Sequence, residues 1–312
     1  RPPRSTLFPY TTLFRSAVTG TVAAATVFTA SISPPAEAGF RLGLMQMTIY
    51  LGNSIGPLIG GVLADLFGFR TNFLVTSGLL LVAGVLVTKG AHEEFVPKPR
   101  SGSLLRNAIP DFGPIRRTPA LRTLFGVVFS VQMAAAIIAS MLTLFIMDLT
   151  GGEEGVASMA GSIIAAGSVA GALAAAVIGK VSGRFGYGRT LVVCMAGSAF
   201  FYLLQSFVSS PIQLLWLRIG SGIFLGGTMP SVNALIARLT EAGRQGSTYG
   251  LSSSIANAGA ALGPALGAVL ATTTGYRSVF AATAFILGTM GWFAARSTTR
   301  DAGYGPGTGT AS

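Results

Sequence analysis

Gly52-Asn53-Ser54-Ile55-Gly56-Pro57-Leu58-Ile59-Gly60-Gly61-Val62-Leu63-Ala64 is an uncharged run with glycines four residues apart and a proline beside the second of them. On a helix, residues four apart lie one above the other, so Gly52, Gly56 and Gly60 make a smooth stripe. Glycine and proline are costly in soluble helices. In lipid they let helix backbones approach closely and permit bends. The run returns at an offset of 259 − 52 = 207 positions, as Gly259-Ala260-Ala261-Leu262-Gly263-Pro264-Ala265-Leu266-Gly267-Ala268-Val269-Leu270-Ala271. The match continues outward, with Gly68, Arg70 and Phe73 answered by Gly275, Arg277 and Phe280. A bias toward glycine and alanine would not readily match Pro, Arg and Phe as well, so the two stretches read as an internal repeat.

The chain around the repeat is suited to lipid rather than water. Of its 312 residues, 51% are apolar and 10% charged, and the mean hydropathy is +0.65. A soluble domain carries about 25% charged residues, so these charges are too few to coat a water-exposed surface. Nine apolar segments stand out, at 17–32 (shortened), 42–64, 71–90, 120–147, 156–179, 189–208, 212–237, 248–271 and 276–296. A bilayer-spanning helix needs roughly 20 such residues, and backbone polar groups in lipid must be satisfied within the segment. The expectation is an all-α membrane protein.

The net charge of +11 comes from residues in the gaps between the apolar segments. It forms no basic stripe interleaved with aromatics, which argues against nucleic acid as a partner. The loops near 33–41, 91–119, 180–189 and 238–247, the tail and their flanks hold fifteen basic residues, from Arg41 and Lys89 to Arg296 and Arg300. The opposite side holds only Arg70 and Arg277, and its loop 148–155 carries Asp148, Glu153 and Glu154 with no base. The positive-inside rule places the C-terminus in the cytoplasm. Both copies of the repeat start on the basic side and run outward, so the repeat is parallel. Two parallel halves related by an axis along the membrane normal are a known transporter design.

If the second copy lies in the penultimate helix of a six-helix half, the first is helix five of a twelve-helix plan. Nine of twelve helices are then expected, the first of them partial, in two pseudo-symmetric bundles. Residues 17–90 would hold helices four to six, 91–119 a proline-rich cytoplasmic linker, and 120–296 helices seven to twelve. Residues 1–16 resemble the frame translation of a sequencing-library adapter and are expected not to be native. The Gly/Thr-rich tail 297–312 is expected to be disordered. Abundant Ala and Gly, with far more Arg than Lys, suggest a GC-rich bacterial genome and hence a bacterial inner membrane.

These residues carry a family resemblance. Gly52-x-x-x-Gly56-Pro57-x-x-Gly60-Gly61 resembles the helix-five signature of drug:proton antiporters in the major facilitator superfamily. Phe69-Arg70-x-x-Phe73 resembles the aromatic-Arg-x-x-Phe that commonly follows it. Gly179-Lys180-Val181-Ser182-Gly183-Arg184-Phe185-Gly186-Tyr187-Gly188-Arg189 looks like a degenerate copy of the superfamily's cytoplasmic loop signature, with Gly183 where an acidic residue normally stands. Arg218-x-x-x-Gly222-x-x-x-Gly226 is similar to the helix-four arginine motif, here in helix ten. The resemblance implies the major facilitator fold and a carrier that exports small organic compounds by alternating access, with protons as coupling ion. It also implies that the helix-five stripe seals the cytoplasm-facing state on the outer side.

Candidate site residues follow from these readings. The repeat of the stripe in helix eleven is Gly259, Gly263, Pro264 and Gly267, and the loop motif contributes Gly179, Arg184, Gly186 and Arg189. Arg218, in the outer third of its helix, needs a partner or a water-filled cavity. Ligand pockets are mostly apolar with a few placed polar groups. Gln132, Asn233 and Asn257 are such groups, and Tyr50 and Met133 would give an adaptable lining. No Asp or Glu falls inside the nine segments, so a coupling carboxylate is expected in helices preceding Ala17. Lone Cys194 and lone His92 suggest no metal site, and no cofactor is implied. No catalytic cluster and no nucleotide-binding Gly-Lys-Ser/Thr loop is present in the sequence, which disfavours an enzyme, a sensor or an ATP motor. A carrier of the same fold for a sugar, organic acid or other metabolite is the main alternative. A monomer is expected.

Overall fold

A computed structural model describes residues 20–34, 37–90, 118–152, 155–240 and 244–300. The expected adapter segment, most of the expected linker and residues 301–312 lie outside the described residues. Eight helices account for nearly all of the described chain: α1 Gly20–Ile32, α2 Ala38–Gly90, α3 Pro119–Thr150, α4 Val156–Phe185, α5 Tyr187–Gln205, α6 Pro211–Leu239, α7 Gln245–Thr274 and α8 Tyr276–Arg300. Seven helical stretches among the described residues are long and apolar enough to cross a membrane. The protein is a multi-pass, all-α membrane protein.

Helix ends follow local chemistry. Thr118 is extended and Pro119 takes the first turn of α3, where a missing N–H costs nothing. Ser210 caps α6 by accepting from the Gln213 amide, again with a proline next in line. Gly151 ends α3 in the left-handed conformation, its N–H returned to the Met147 carbonyl. Several buried hydroxyls bond back into their own helix. Thr26, Ser198, Ser231 and Thr283 each donate to the carbonyl four residues before, at 2.7–2.8 Å.

The segments expected at 42–64 and 71–90 are one helix, α2, interrupted only at Gly68 (φ 80°, ψ 162°). A straight helix would separate residues 60 and 72 by about 18 Å. Instead a methyl group on Gly60 would lie 3.7 Å from the Asn72 amide, so the chain doubles back at Gly68. The equivalent residue of the repeat, Gly275, separates α7 from α8 with nearly the same angles (φ 86°, ψ 164°). That region of backbone space is essentially restricted to glycine. The repeat read from the letters is thus also a repeat of backbone conformation.

The chain divides into two compact units, Arg1–Tyr50 with Asp111–Ser312 and Leu51–Pro110. In the first, the main packing contacts run α4–α6–α5–α8–α3–α7, with α1 against α7. Close backbone approach holds α4 to α6, where methyl groups at Gly222 and Gly226 would overlap the carbonyl oxygens of Gly167 and Gly171. Between α5 and α6 the fit is reciprocal: Phe224 covers Gly197 and Phe201 covers Gly220. The centre of the unit is α3, whose Phe145 meets Phe280 of α8 with ring centroids 4.9 Å apart. Lipid tails are as apolar as these side chains, so shape complementarity rather than water exclusion selects such contacts.

In the second unit the span Arg70–Gly90 has none of its most apolar window buried among the described residues. Leu79, Leu80 and Leu81 are each about two-thirds or more exposed, at 65%, 68% and 72%. Such a surface suits a lipid environment.

Candidate functional site

A cavity of about 270 Å³ opens in the first unit between α1, the opening turns of α2, α3, α6 and α7. Its apolar wall includes Val22 of α1, Ile49 of α2, Val128 of α3 and Met229 of α6. The polar wall is made of carboxamides and hydroxyls: Thr26, Gln46, Gln132, Asn233, Tyr249, Ser252, Ser253 and Asn257. Gln132 stands roughly 20 Å along α3 and Asn257 roughly 18 Å along α7, well inside each helix rather than at its ends.

Two hydroxyls on this wall are already committed as donors. Thr26 donates to the Val22 carbonyl at 2.7 Å. Tyr249 Oη donates to the Asn233 carbonyl at 2.7 Å and so ties α7 to α6 at the rim. Pro230, inside α6, removes one helical N–H three residues before Asn233 and loosens the ladder there. The side-chain amides of Gln132, Asn233 and Asn257 make no hydrogen bond to another described residue. Among the described residues no acidic or basic side chain lines the cavity.

Three of the five residues expected along a ligand pathway therefore converge here: Gln132, Asn233 and Asn257. Tyr50 stands one turn beyond Gln46 on α2 and is not among the residues that line the cavity. Met133 is 7% exposed. Its main chain faces α7, where added methyl groups on Gly259 and Gly263 would crowd its N–H and carbonyl. Thr26 and the α7 residues Tyr249, Ser252, Ser253 and Ala256, on the face that carries Asn257, were not expected in the site. The spacing on α7 is that of one helical face, so this signal was available in the sequence.

Arg218 does not line the cavity. Its Nη1 donates to Tyr202 Oη at 3.1 Å, and the guanidinium carbon lies 5.6 Å from the Tyr202 ring centroid. Tyr202 is buried. Beneath it, Gln205 Nε2 donates to the Leu217 carbonyl at 3.3 Å and to Ser221 Oγ at 3.2 Å. Ser221 Oγ in turn donates to the Arg218 carbonyl at 3.0 Å. Arg218 thus belongs to a polar tie between α5 and α6.

The two glycine stripes have different surroundings. Nothing described lies within 4 Å of a methyl group placed on Gly52 or Gly56, and Gly60 faces only Asn72. Pro57 and Gly61 continue the helix beside them. Gly259, Gly263 and Gly267 are buried and pack on Phe129, Met133, Ala136, Ile137 and Met141 of α3. Pro264 sits within α7 beside them.

At the basic end, Gly179 packs against the main chain of Gly39 and Gly43, where α2 begins. Arg184 and Arg189 are exposed, and Gly186 makes the turn between α4 and α5 at φ 90°. The buried residue of this loop is Tyr187, 2% exposed. Its Oη accepts from the Gly39 amide, in the first turn of α2, at 3.0 Å. Arg238 from the end of α6 lies 4.6 Å over its ring.

The sequence model of the Major Facilitator Superfamily matches residues 6–160 and 124–309. The chain is 30% identical over 268 residues to a protein named Multidrug resistance protein MdtG from Rahnella sp. (strain Y9602), covering 86% of this chain and 65% of the relative. It is 31% identical over 271 residues to the Multi-drug resistance efflux pump PmrA of Streptococcus pneumoniae serotype 4, covering 87% of this chain and 67% of the relative. The chain thus spans about two thirds of the length of these curated relatives. Among solved structures, the human organic anion transporter MFSD10 (TETRAN) superposes with a TM-score of 0.71 at 15% identity, over 88% of this chain and 68% of that one. FucP in the outward conformation superposes with a TM-score of 0.66 at 17% identity, over 88% and 72%. At those identities the likeness speaks for the fold. Repeat, helical architecture, sequence match and superposition agree, and the chain belongs to the Major Facilitator Superfamily.

Proposed function

We propose that the protein is a secondary active carrier that exports small organic, drug-like compounds by alternating access, with inward proton flow as the driving force. The observation that carries this reading is the cavity into which Gln132, Asn233 and Asn257, on three helices, bring amides that bond to no other described residue. Relatives named for multidrug resistance and efflux support the direction of transport. In this reading the chain is a carrier rather than an enzyme, works as a monomer, and keeps its basic loops and C-terminus in the cytoplasm of a bacterial cell. The Gly52–Gly56–Gly60 stripe acts as an outer seal, and the seam of Gly39, Gly43, Gly179 and Tyr187 closes the basic side.

A Gln132→Ala variant tests the reading. Efflux of a panel of dyes and antibiotics from cells is measured against the amount of protein in the membrane. The expected result is an altered substrate spectrum at unchanged expression. An unchanged spectrum makes Gln132 a packing residue. Proton coupling predicts that a protonophore collapses uptake into everted vesicles.

A further inference from the structure

Two neighbouring helices each carry an exposed apolar stripe that ends on an arginine. On α5, Arg189, Val193, Ala196 and Phe200 follow the i, i+4, i+7, i+11 spacing of one helical face, and all four are exposed. On α8, Phe285, Trp292 and Arg296 stand at i, i+7 and i+11 and are exposed as well. α5 starts and α8 finishes at the basic end, so the pair is antiparallel and both arginines head their stripes there.

The register of the pair sets the stripes side by side. A methyl group on Gly291 would lie 3.0 Å from Met195 Cβ, and one on Gly288 would lie 3.7 Å from Ala199 Cβ. Those residues face each other. Ala196 and Trp292 each follow a facing residue by one position, a rotation of about 100°. In antiparallel helices that step carries both to the same side of the pair. Arg189 lies roughly 9 Å and Arg296 roughly 8 Å from the Met195–Gly291 contact, toward the same end. Packed helix axes are about 8–10 Å apart, so the two arginines flank the top of one apolar groove. The Arg296 guanidinium carbon lies 3.7 Å from the Trp292 ring centroid. Tryptophan is enriched at the depth of the headgroups, and basic pockets between membrane helices bind acidic ones.

Arg122 supplies the contrast. It too is exposed near the basic end, but Gly126, Phe129 and Met133 below it on α3 are half-buried or buried. They pack toward α8 and α7. That charge heads no lipid-facing stripe.

We propose that the α5–α8 groove seats one acidic phospholipid, its phosphate between Arg189 and Arg296 and an acyl chain along Trp292, Val193 and Phe200. This goes beyond the export reading and does not depend on it.

The chain holds two tryptophans, so in a Trp216→Phe variant Trp292 alone fluoresces. That protein is placed in phosphatidylcholine nanodiscs and titrated with phosphatidylglycerol or phosphatidylcholine carrying the same brominated chains. Two basic groups near the surface favour an anionic headgroup by roughly thirtyfold. Half-quenching by the glycerol lipid is expected at a concentration at least tenfold lower. Arg189→Gln with Arg296→Gln is expected to abolish the difference, and Arg122→Gln to leave it in place. An equal loss in Arg122→Gln reduces the effect to general surface charge and overturns the inference. Equal quenching by the two lipids with all three arginines present overturns it, as does quenching by neither, the result if a second copy covers the groove. Excess soluble glycerophosphoglycerol is expected to leave the quenching unchanged; relief by it marks an anion site without a lipid and overturns the inference. The comparison of the two lipids needs no arginine variant, so a double variant that fails to fold does not shield the inference.

Discussion

The two copies of the glycine stripe share spacing, proline, turn residue and flanking arginine, yet they have opposite surroundings. Gly259, Gly263 and Gly267 are filled by the main chain and side chains of α3, whereas Gly52 and Gly56 meet nothing among the described residues. Phe280 is 1% exposed and its counterpart Phe73 is 73% exposed. The stripe is therefore a receptor for a helix and not a structure in itself. Identical letters give identical backbone, as Gly68 and Gly275 show, but burial is conferred by the partner.

The largest effect should come from crowding the filled copy. In Gly263→Leu the first added carbon would already lie 2.7 Å from Ala136 Cβ and 2.8 Å from the Met133 carbonyl. Loss of monodisperse protein in size-exclusion chromatography is expected. Gly56→Leu should insert and purify normally while transport is abolished; normal efflux by that variant would remove the sealing role of the first stripe. Next in size, Phe280→Ala empties a buried aromatic site and should cost about 3–5 kcal/mol. Phe73→Ala should stay within about 0.5 kcal/mol, and thermal unfolding in detergent reads both. Gly68→Ala and Gly275→Ala should each cost about 1–3 kcal/mol, because both leave a backbone region reserved for glycine. Unequal losses would show that the two turns are not equivalent after all. A smaller loss than at either glycine is expected for Tyr187→Phe, which deletes one hydrogen bond worth about 0.5–1.5 kcal/mol. It should raise amide exchange at the start of α2 with little change in melting temperature.

Most of the fold could be read from hydropathy, since each expected apolar segment falls mainly on helix among the described residues. The ends could not. The segments expected at 156–179 and 189–208 become Val156–Phe185 and Tyr187–Gln205, separated by Gly186 alone. Hydropathy marks where lipid stops, but the helical hydrogen bonds continue into the basic turn beyond it. α8 likewise runs to Arg300, past the expected limit at 296.

The site was legible where a polar residue interrupts an apolar span, as Gln132, Asn233 and Asn257 do. Met133 lies about 100° around α3 from Gln132, and composition alone cannot say which of two neighbours faces inward. The α7 face from Tyr249 to Asn257 carried its message in spacing, which attention to single polar residues passes over. Tyr187 had no readable signal, because its partner Gly39 lies 148 positions away in the chain.

The seam at the basic end has one more consequence. It consists of three glycines in backbone contact and a single phenolic oxygen holding one amide. Main chain lies against main chain there, so no long side chains interlock between Gly39, Gly43 and Gly179. In the carrier proposed above, surfaces of that kind would separate and rejoin on every turnover with a low kinetic barrier, where interdigitated leucines would have to disengage one by one.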